Sequence, residues 1–132
     1  MDTPLLVSVV DDDESVREAL PDLIREFGFA VQAFASAQEY LCSAYINSTD
    51  CLILDVAMPG MSGPDLLRAL RLRGHATPVI FITAHGDDRE QAQLKHCGAV
   101  ECLLKPFSET ALIKALSTAL PLDHPDTEDA RS

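Results

Sequence analysis

The chain has 132 residues and a mass of 14.3 kDa, a size that suits one compact domain and excludes a multidomain enzyme within these residues. Ten Lys and Arg side chains stand against 21 Asp and Glu side chains, which gives a formal net charge of -11. A surface of that sign repels nucleic-acid phosphates and anionic lipid head groups, so we expect neither nucleic acid nor membrane as a direct partner of these residues. The apolar fraction of 47% is ordinary for a folded domain and argues against charge-driven disorder.

The chain shows no targeting segment and no membrane-spanning segment. Its longest apolar runs have four residues, at 51–54 and 79–82, and no cationic segment follows Met1, so we expect a cytoplasmic protein. The cysteines have neither C-x-x-C spacing nor a paired histidine signature, which predicts free thiols rather than zinc ligands or disulfides. They are Cys42, Cys51, Cys97 and Cys102.

Five short apolar segments predict β-strands. In chain order they lie at residues 5–10, 30–34, 51–54, 79–82 and 100–104. Between them, apolar residues recur at helical spacing, as at Val16, Leu20 and Leu23, while Gly28 marks a helix end and Pro64 a helix start. Strands that are joined by helical crossovers pair in parallel. The alternation therefore predicts a single (βα)5 domain of the α/β class, doubly wound, with helices on both faces of a parallel sheet.

Two segments complicate this pattern. Pro21 falls inside the first predicted helix, where we expect a kink because proline removes a backbone donor. Residues 88–96 are polar nearly all round, with only Ala92 and Leu94 apolar, so we expect the fourth helix to be weakly anchored. We assign residues 1–120 to the folded domain and residues 121–132 to an acidic tail or the start of a linker.

Polar residues follow four of the predicted strands at their carboxyl ends, the edge where ligands bind in open parallel sheets. Asp11 and Asp12 follow the first strand, Asp55 the third, Thr83 the fourth and Lys105 the fifth. Carboxylates placed close together are costly unless a cation lies among them, and their hard oxygens suit Mg²⁺. The cluster therefore predicts a divalent metal, Mg²⁺ or Mn²⁺. A carboxylate beside such a metal can attack a phosphoryl group, and Thr83 and Lys105 can contact phosphoryl oxygens.

Four motifs, in order and spacing, resemble the receiver domain of two-component response regulators, and most closely its FixJ-like branch. They are Val10-Asp11-Asp12-Asp13-Glu14, Leu54-Asp55-Val56-Ala57-Met58-Pro59-Gly60-Met61-Ser62-Gly63, Ile82-Thr83-Ala84-His85-Gly86 and Lys105-Pro106-Phe107. One such motif is a weak signal, whereas four in register are a strong one. The resemblance covers residues 5 to 120 and implies a CheY-like fold with strand order 2-1-3-4-5.

The resemblance also implies a role for the matching acidic residues. Asp55 would be the phosphoacceptor, and Asp11, Asp12 and Asp55 would hold Mg²⁺ together with the backbone carbonyl of Ala57. The phosphoryl group would come from a sensor histidine kinase or a histidine phosphotransfer protein. The domain would catalyse only its own phosphorylation and dephosphorylation, so we do not expect an enzyme that turns over a separate substrate.

The remaining motif residues would read the phosphoryl group and pass the signal on. Thr83 and Lys105 would form the sensing pair, and the family implies a cis peptide before Pro106. The output would run through the face formed by the fourth helix, the fifth strand and the fifth helix. Many receivers dimerise through that face, which implies a phosphorylation-promoted homodimer.

Three positions bear on how this chain departs from the family. The family usually places an aromatic residue three positions before the lysine, where this chain has Cys102. Strand alternation puts Cys102 opposite Glu101 and Leu103, toward the fourth and fifth helices, which predicts a partly exposed thiol on the output surface; we favour a small apolar filler over a redox sensor. Ala57 and His85 border the path of the hydrolytic water in the family and are expected to tune the phosphoryl lifetime.

Two alternatives stay open at this point. Asp11-Asp12-Asp13-Glu14-Ser15 also fits the nucleophile loop of haloacid-dehalogenase-like phosphohydrolases, with Asp11 as nucleophile and Asp13 as acid-base. Against that interpretation, no substrate-capping insertion fits in 132 residues and Asp55 would be unexplained, whereas Asp13 reads simply as a helix N-cap. The second alternative is a pseudo-receiver that works without phosphorylation. The sequence fits both a stand-alone receiver and the N-terminal part of a DNA-binding regulator.

Overall fold

A computed structural model describes residues 4–84 and 87–120. The five strands are β1 (Leu6–Val10), β2 (Ala30–Phe34), β3 (Cys51–Asp55), β4 (Val79–Thr83) and β5 (Glu101–Leu104). The helices are α1 (Glu14–Glu26), α2 (Ala37–Leu41), a short 3-10 helix (Ala44–Asn47), α3 (Gly63–Leu72), α4 (Asp88–His96) and α5 (Glu109–Ala119). The predicted tail at 121–132 and the predicted lifetime residue His85 lie outside the described residues.

The five strands form one parallel sheet of order β2-β1-β3-β4-β5, which confirms the predicted topology. Val10 pairs with Leu54, Asp55 with Ile82, and Thr83 with Leu104. Because these neighbours end at the same level, the residues that follow β1, β3, β4 and β5 meet at one edge of the sheet. Within the described residues, no helix is both long and apolar enough to cross a membrane.

Two apolar clusters cover the two faces of the sheet. One contains α1 and α5 residues such as Ile24 and Leu112, packed on Ile53 and Ile80. The other contains residues of α2 and α3, packed on the alternate strand positions such as Phe81. β3 and β4 are buried along their whole length, so the continuous apolar runs in the sequence correspond to strands covered on both sides.

Helix ends follow the local sequence signals. Asp13 is the N-cap of α1 and accepts a hydrogen bond from the Ser15 N–H at 2.9 Å, as predicted. α1 continues through the buried Pro21 to Glu26, and the kink expected there stays a prediction. In α4 no described side chain is fully buried, and Leu94 makes the apolar contact with the sheet, which agrees with the predicted weak anchoring.

The expectation of a partly exposed Cys102 thiol facing both α4 and α5 is wrong. Cys102 is 8% exposed and belongs to the cluster that holds α2 and α3, with Leu94 of α4 packed against it. α5 covers the opposite face, where Leu103 packs. The side chain is therefore a small apolar filler, and burial raises the pKa of its thiol.

Candidate functional site

Three carboxylates meet at the carboxyl edge of the sheet. Asp11 and Asp12 follow β1, and Asp55 is the last residue of β3, the strand beside it. One carboxylate oxygen from each residue lies within 4.8 Å of the others. Asp11 is fully buried and Asp55 is 5% exposed, whereas Asp12 is open to solvent. The structure therefore brings together the three acidic residues that the sequence singled out.

Asp11 makes contacts through its backbone and through both oxygens of its carboxylate. Its backbone N–H donates to the Phe34 carbonyl at 3.1 Å, and its Oδ1 accepts from the Asp13 N–H at 2.9 Å. Its own carbonyl accepts a hydrogen bond from the Arg17 guanidinium at 2.9 Å. Oδ2 is fully buried, and the Lys105 ammonium nitrogen lies 3.0 Å from it, at an ion-pair distance. A buried carboxylate oxygen is costly without a positive partner, so Oδ2 favours a cation beside it.

Lys105 reaches the cluster from the end of β5. Its N–H donates to the Thr83 carbonyl at 2.8 Å, and its Nζ lies 3.0 Å from Asp11 Oδ2 and 3.5 Å from Asp55 Oδ1. Burial lowers the pKa of Lys105, but the Asp11 and Asp55 carboxylates outweigh that effect and raise it above its usual value. The Lys105–Pro106 peptide is cis, as the family pattern implied.

The charges at this edge do not balance. Burial, reinforced by the neighbouring Asp11 carboxylate and opposed by Lys105, raises the pKa of Asp55 to about 6. When all groups are ionised, three carboxylates face one ammonium group. The oxygen-only donor set and the excess of carboxylates over ammonium groups together fit a hard divalent cation such as Mg²⁺.

Gly63 is a site residue whose role the sequence did not reveal. Its N–H donates to the Val56 carbonyl at 2.9 Å, so the loop after β3 folds back on the strand end. A Cβ at this position would lie 2.5 Å from the Asp55 carbonyl oxygen. The sequence feature that could have revealed this role is a glycine in the first turn of a predicted helix, because glycine has a low helix propensity.

The other predicted residues lie around this centre. Thr83 is buried at the end of β4 and, with Ala57, Pro64 and Leu94, lines a 390 Å³ cleft between the β3–α3 loop and α4. Pro106 lines a separate apolar groove against α1. Ala57 is exposed on the loop after Asp55. Cys102 is not part of the site, because it is buried in the core under α3 and α4.

Comparisons with known proteins identify the class. Residues 7–117 match the family model of the response regulator receiver domain. The response regulator protein TodT of Pseudomonas putida is 41% identical over 121 residues, 92% of this chain and 53% of TodT. The transcriptional regulatory protein FixJ of Azorhizobium caulinodans is 39% identical, and the match covers 100% of this chain and 64% of FixJ. The chain spans between about half and two-thirds of the length of these relatives.

Solved structures agree with the sequence comparison. The chemotaxis protein CheY4 of Vibrio cholerae superposes with a TM-score of 0.81 at 30% identity, covering 89% of this chain and 100% of CheY4. The chain therefore belongs to the response regulator receiver domain family, and it is a receiver domain of two-component systems. Such domains are regulatory rather than catalytic, receive phosphoryl groups from histidine kinases and generally bind Mg²⁺. The phosphohydrolase and pseudo-receiver alternatives are not favoured.

Proposed function

We propose that Asp55 accepts the phosphoryl group in this receiver, with Asp11, Asp12 and Asp55 as its Mg²⁺ ligands. The observation that supports this assignment is the convergence of the three carboxylates within 4.8 Å, with Lys105 Nζ at 3.5 Å from Asp55. The backbone carbonyl of Ala57, on the loop directly after Asp55, is proposed as a further ligand. Bound Mg²⁺, or Mn²⁺ in its place, would neutralise charge on the transferring phosphoryl oxygens.

Asp55 performs the transfer as a nucleophile. A carboxylate oxygen of Asp55 forms a bond to phosphorus while the bond from phosphorus to the donor histidine nitrogen breaks, and that nitrogen keeps the electron pair. Lys105 moves its ammonium group from the carboxylates to the new phosphoryl oxygens, since they carry the larger charge. Hydrolysis of the acyl phosphate returns Asp55, and Ala57 and His85 tune its rate.

The phosphoryl charge is read through Thr83. Thr83 lines the cleft against Leu94 of α4, the helix with the weakest apolar anchoring. A hydroxyl drawn toward the phosphoryl group repacks this cleft and shifts α4, because a loosely held element has the lowest cost of displacement. The output then runs through the face formed by α4, β5 and α5; Pro106 lies in the loop between β5 and α5. The change in this face favours formation of a homodimer.

Several broader features complete the proposal. The receiver occupies residues 1–120, with 121–132 as an acidic tail or linker, and acts in the cytoplasm. Its phosphoryl donor is a sensor histidine kinase or a histidine phosphotransfer protein. FixJ, by its name, is a transcriptional regulatory protein, so we propose a transcriptional output for the protein to which this receiver belongs. These acidic residues would not contact DNA themselves.

Phosphorylation by a small-molecule donor tests the assignment. Wild-type protein, Asp55→Asn and the control Asp22→Asn, which alters an exposed α1 carboxylate, are incubated with acetyl phosphate and Mg²⁺ and analysed by intact-mass spectrometry. We expect one added phosphoryl group on wild type and on Asp22→Asn, and none on Asp55→Asn. Undiminished labelling of Asp55→Asn contradicts the proposal. Turnover of a phosphate ester that survives Asp55→Asn but is lost in Asp13→Asn would instead support the phosphohydrolase.

A further inference from the structure

Arg17 connects α1 to the loop after β1 that carries Asp11 and Asp12. Its side chain is half-buried on α1, and its guanidinium donates a hydrogen bond to the Asp11 carbonyl at 2.9 Å. Within residues 4–84 and 87–120, the ion pairs involve other basic side chains, and Arg17 is not among them. Its contact is therefore directed at the backbone next to the metal ligands rather than at a surface carboxylate.

The orientation of the Asp11 carbonyl sets the position of Asp12. A peptide group is planar, so a fixed carbonyl also fixes the direction in which the next Cα leaves. The Asp11 side chain has a second restraint, from the Asp13 N–H to Oδ1. The exposed Asp12 side chain has no hydrogen bond of its own among the described residues, so its approach to Asp55 depends on the orientation of that peptide.

We propose that Arg17 is a positioning residue of the metal site. It holds the Asp11–Asp12 peptide so that both carboxylates face Asp55, and its positive charge offsets part of their mutual repulsion. This inference rests on the proposed Mg²⁺ function of the three carboxylates. It adds a residue that the four motifs do not contain.

Magnesium binding tests the inference without any phosphotransfer. Wild type, Arg17→Met and Arg17→Lys are titrated with Mg²⁺ by calorimetry at constant ionic strength, and each is melted with EDTA and with saturating Mg²⁺. The matched control is Arg25→Met, which removes one positive charge from the same helix at an exposed pair with Asp22. We expect Arg17→Met to bind Mg²⁺ about tenfold more weakly. Arg25→Met should bind as wild type does, and Arg17→Lys should lie between because it keeps the charge but loses the guanidinium geometry.

The melting curves separate positioning from general stability. A positioning role predicts that Arg17→Met has a smaller Mg²⁺-induced rise in Tm than wild type and Arg25→Met, while its Tm in EDTA stays near that of Arg25→Met. Equal Mg²⁺ affinity in Arg17→Met and Arg25→Met overturns the inference and leaves the metal site intact. Absence of Mg²⁺ binding in wild type overturns the proposed metal site, and the inference with it. If Arg17→Met does not fold, Arg17→Lys decides the question. An Mg²⁺ affinity of Arg17→Lys equal to that of wild type would then overturn the inference that the Arg17 guanidinium positions the metal site.

Discussion

Gly63 shows how one missing side chain shapes the site. Its backbone lies so close to the strand end that a Cβ would stand 2.5 Å from the Asp55 carbonyl oxygen and 3.0 Å from the Val56 Cα. Its φ is not positive, so the requirement for glycine is steric rather than conformational. We expect Gly63→Ala to lower the free energy of unfolding by about 1–3 kcal/mol and to slow acetyl phosphate labelling, because the Asp55 backbone must shift. Urea denaturation and timed intact-mass spectra measure the two effects.

Gly74→Ala is the matched control for this prediction. Gly74 has φ +87°, and a Cβ there would meet nothing within 4 Å. The substitution should cost about 1 kcal/mol through backbone strain alone. It should leave the labelling rate unchanged, since Gly74 follows α3 at the end away from Asp55. Equal slowing in both variants would show that lost stability, not displacement of Asp55, reduces the rate.

The four thiols should separate into two reactivity classes. Cys42 and Cys97 are exposed, whereas burial raises the pKa of Cys51 to about 12 and also raises that of Cys102. With iodoacetamide at mildly alkaline pH, we expect the folded protein to gain two adducts rapidly and the other two only after denaturation. Peptide mapping by mass spectrometry identifies the sites. Rapid modification of Cys102 would contradict its burial and revive the thiol-sensor interpretation.

At the scale of elements, the strands could be predicted because buried parallel strands are continuous apolar runs. The predicted strands at 51–54 and 79–82 each stop one residue short, at Leu54 and Ile82. Pairing continues through Asp55 and Thr83, where a polar functional side chain occupies a buried strand position. A prediction based on hydrophobicity ends each strand before its polar functional residue. The two residues left out, Asp55 and Thr83, therefore belong to the candidate site.

Contacts between elements were the part that the sequence could not supply. Alternation correctly separated Cys102 from Glu101 and Leu103, but it did not say which helix covers which face. The acidic cluster could be predicted because parallel topology brings strand ends together. The Arg17 and Gly63 contacts could not be predicted, since they depend on how a helix and a loop approach the backbone.

The link between α3 and β4 depends on one arginine. Arg71 donates to the His75 carbonyl at 3.1 Å and to the Thr77 carbonyl at 3.0 Å, and burial lowers its pKa. We expect Arg71→Met to lower the free energy of unfolding by about 2 kcal/mol, because two carbonyls lose a charged donor. Arg73→Met, an exposed change two residues away, should cost under ~0.5 kcal/mol. Equal destabilisation in urea titrations would show that the loop does not rely on these bonds.

At the scale of the whole molecule, the formal charge of -11 comes from two kinds of acidic side chain, exposed and buried. Exposed carboxylates such as Asp22 and Asp65 pair with arginines one helical turn away and contribute little to stability. Asp11 and Asp55 are buried beside each other with one lysine between them. The fold therefore carries an electrostatic cost at its functional edge that a bound cation relieves.

That cost should appear in the pH dependence of the metal-free protein. The pKa of Asp55 rises from 3.8 to about 6, so the folded state binds a proton more tightly than the unfolded chain does across that range. The stabilising effect of the protonated carboxyl is present below this window and is lost as pH rises through about 6. In EDTA at neutral pH, we expect Asp55→Asn to melt on the order of a few degrees above wild type, with the difference shrinking as the pH falls toward 4.

Mg²⁺ and a control variant complete this test. Added Mg²⁺ should raise the Tm of wild type more than that of Asp55→Asn, because a ligand stabilises only the folded state that binds it. Asp22→Asn, which alters an exposed carboxylate, should follow wild type at every pH. A pH-independent difference between Asp55→Asn and wild type would show that altered packing, rather than the charge of Asp55, sets the stability of the metal-free fold.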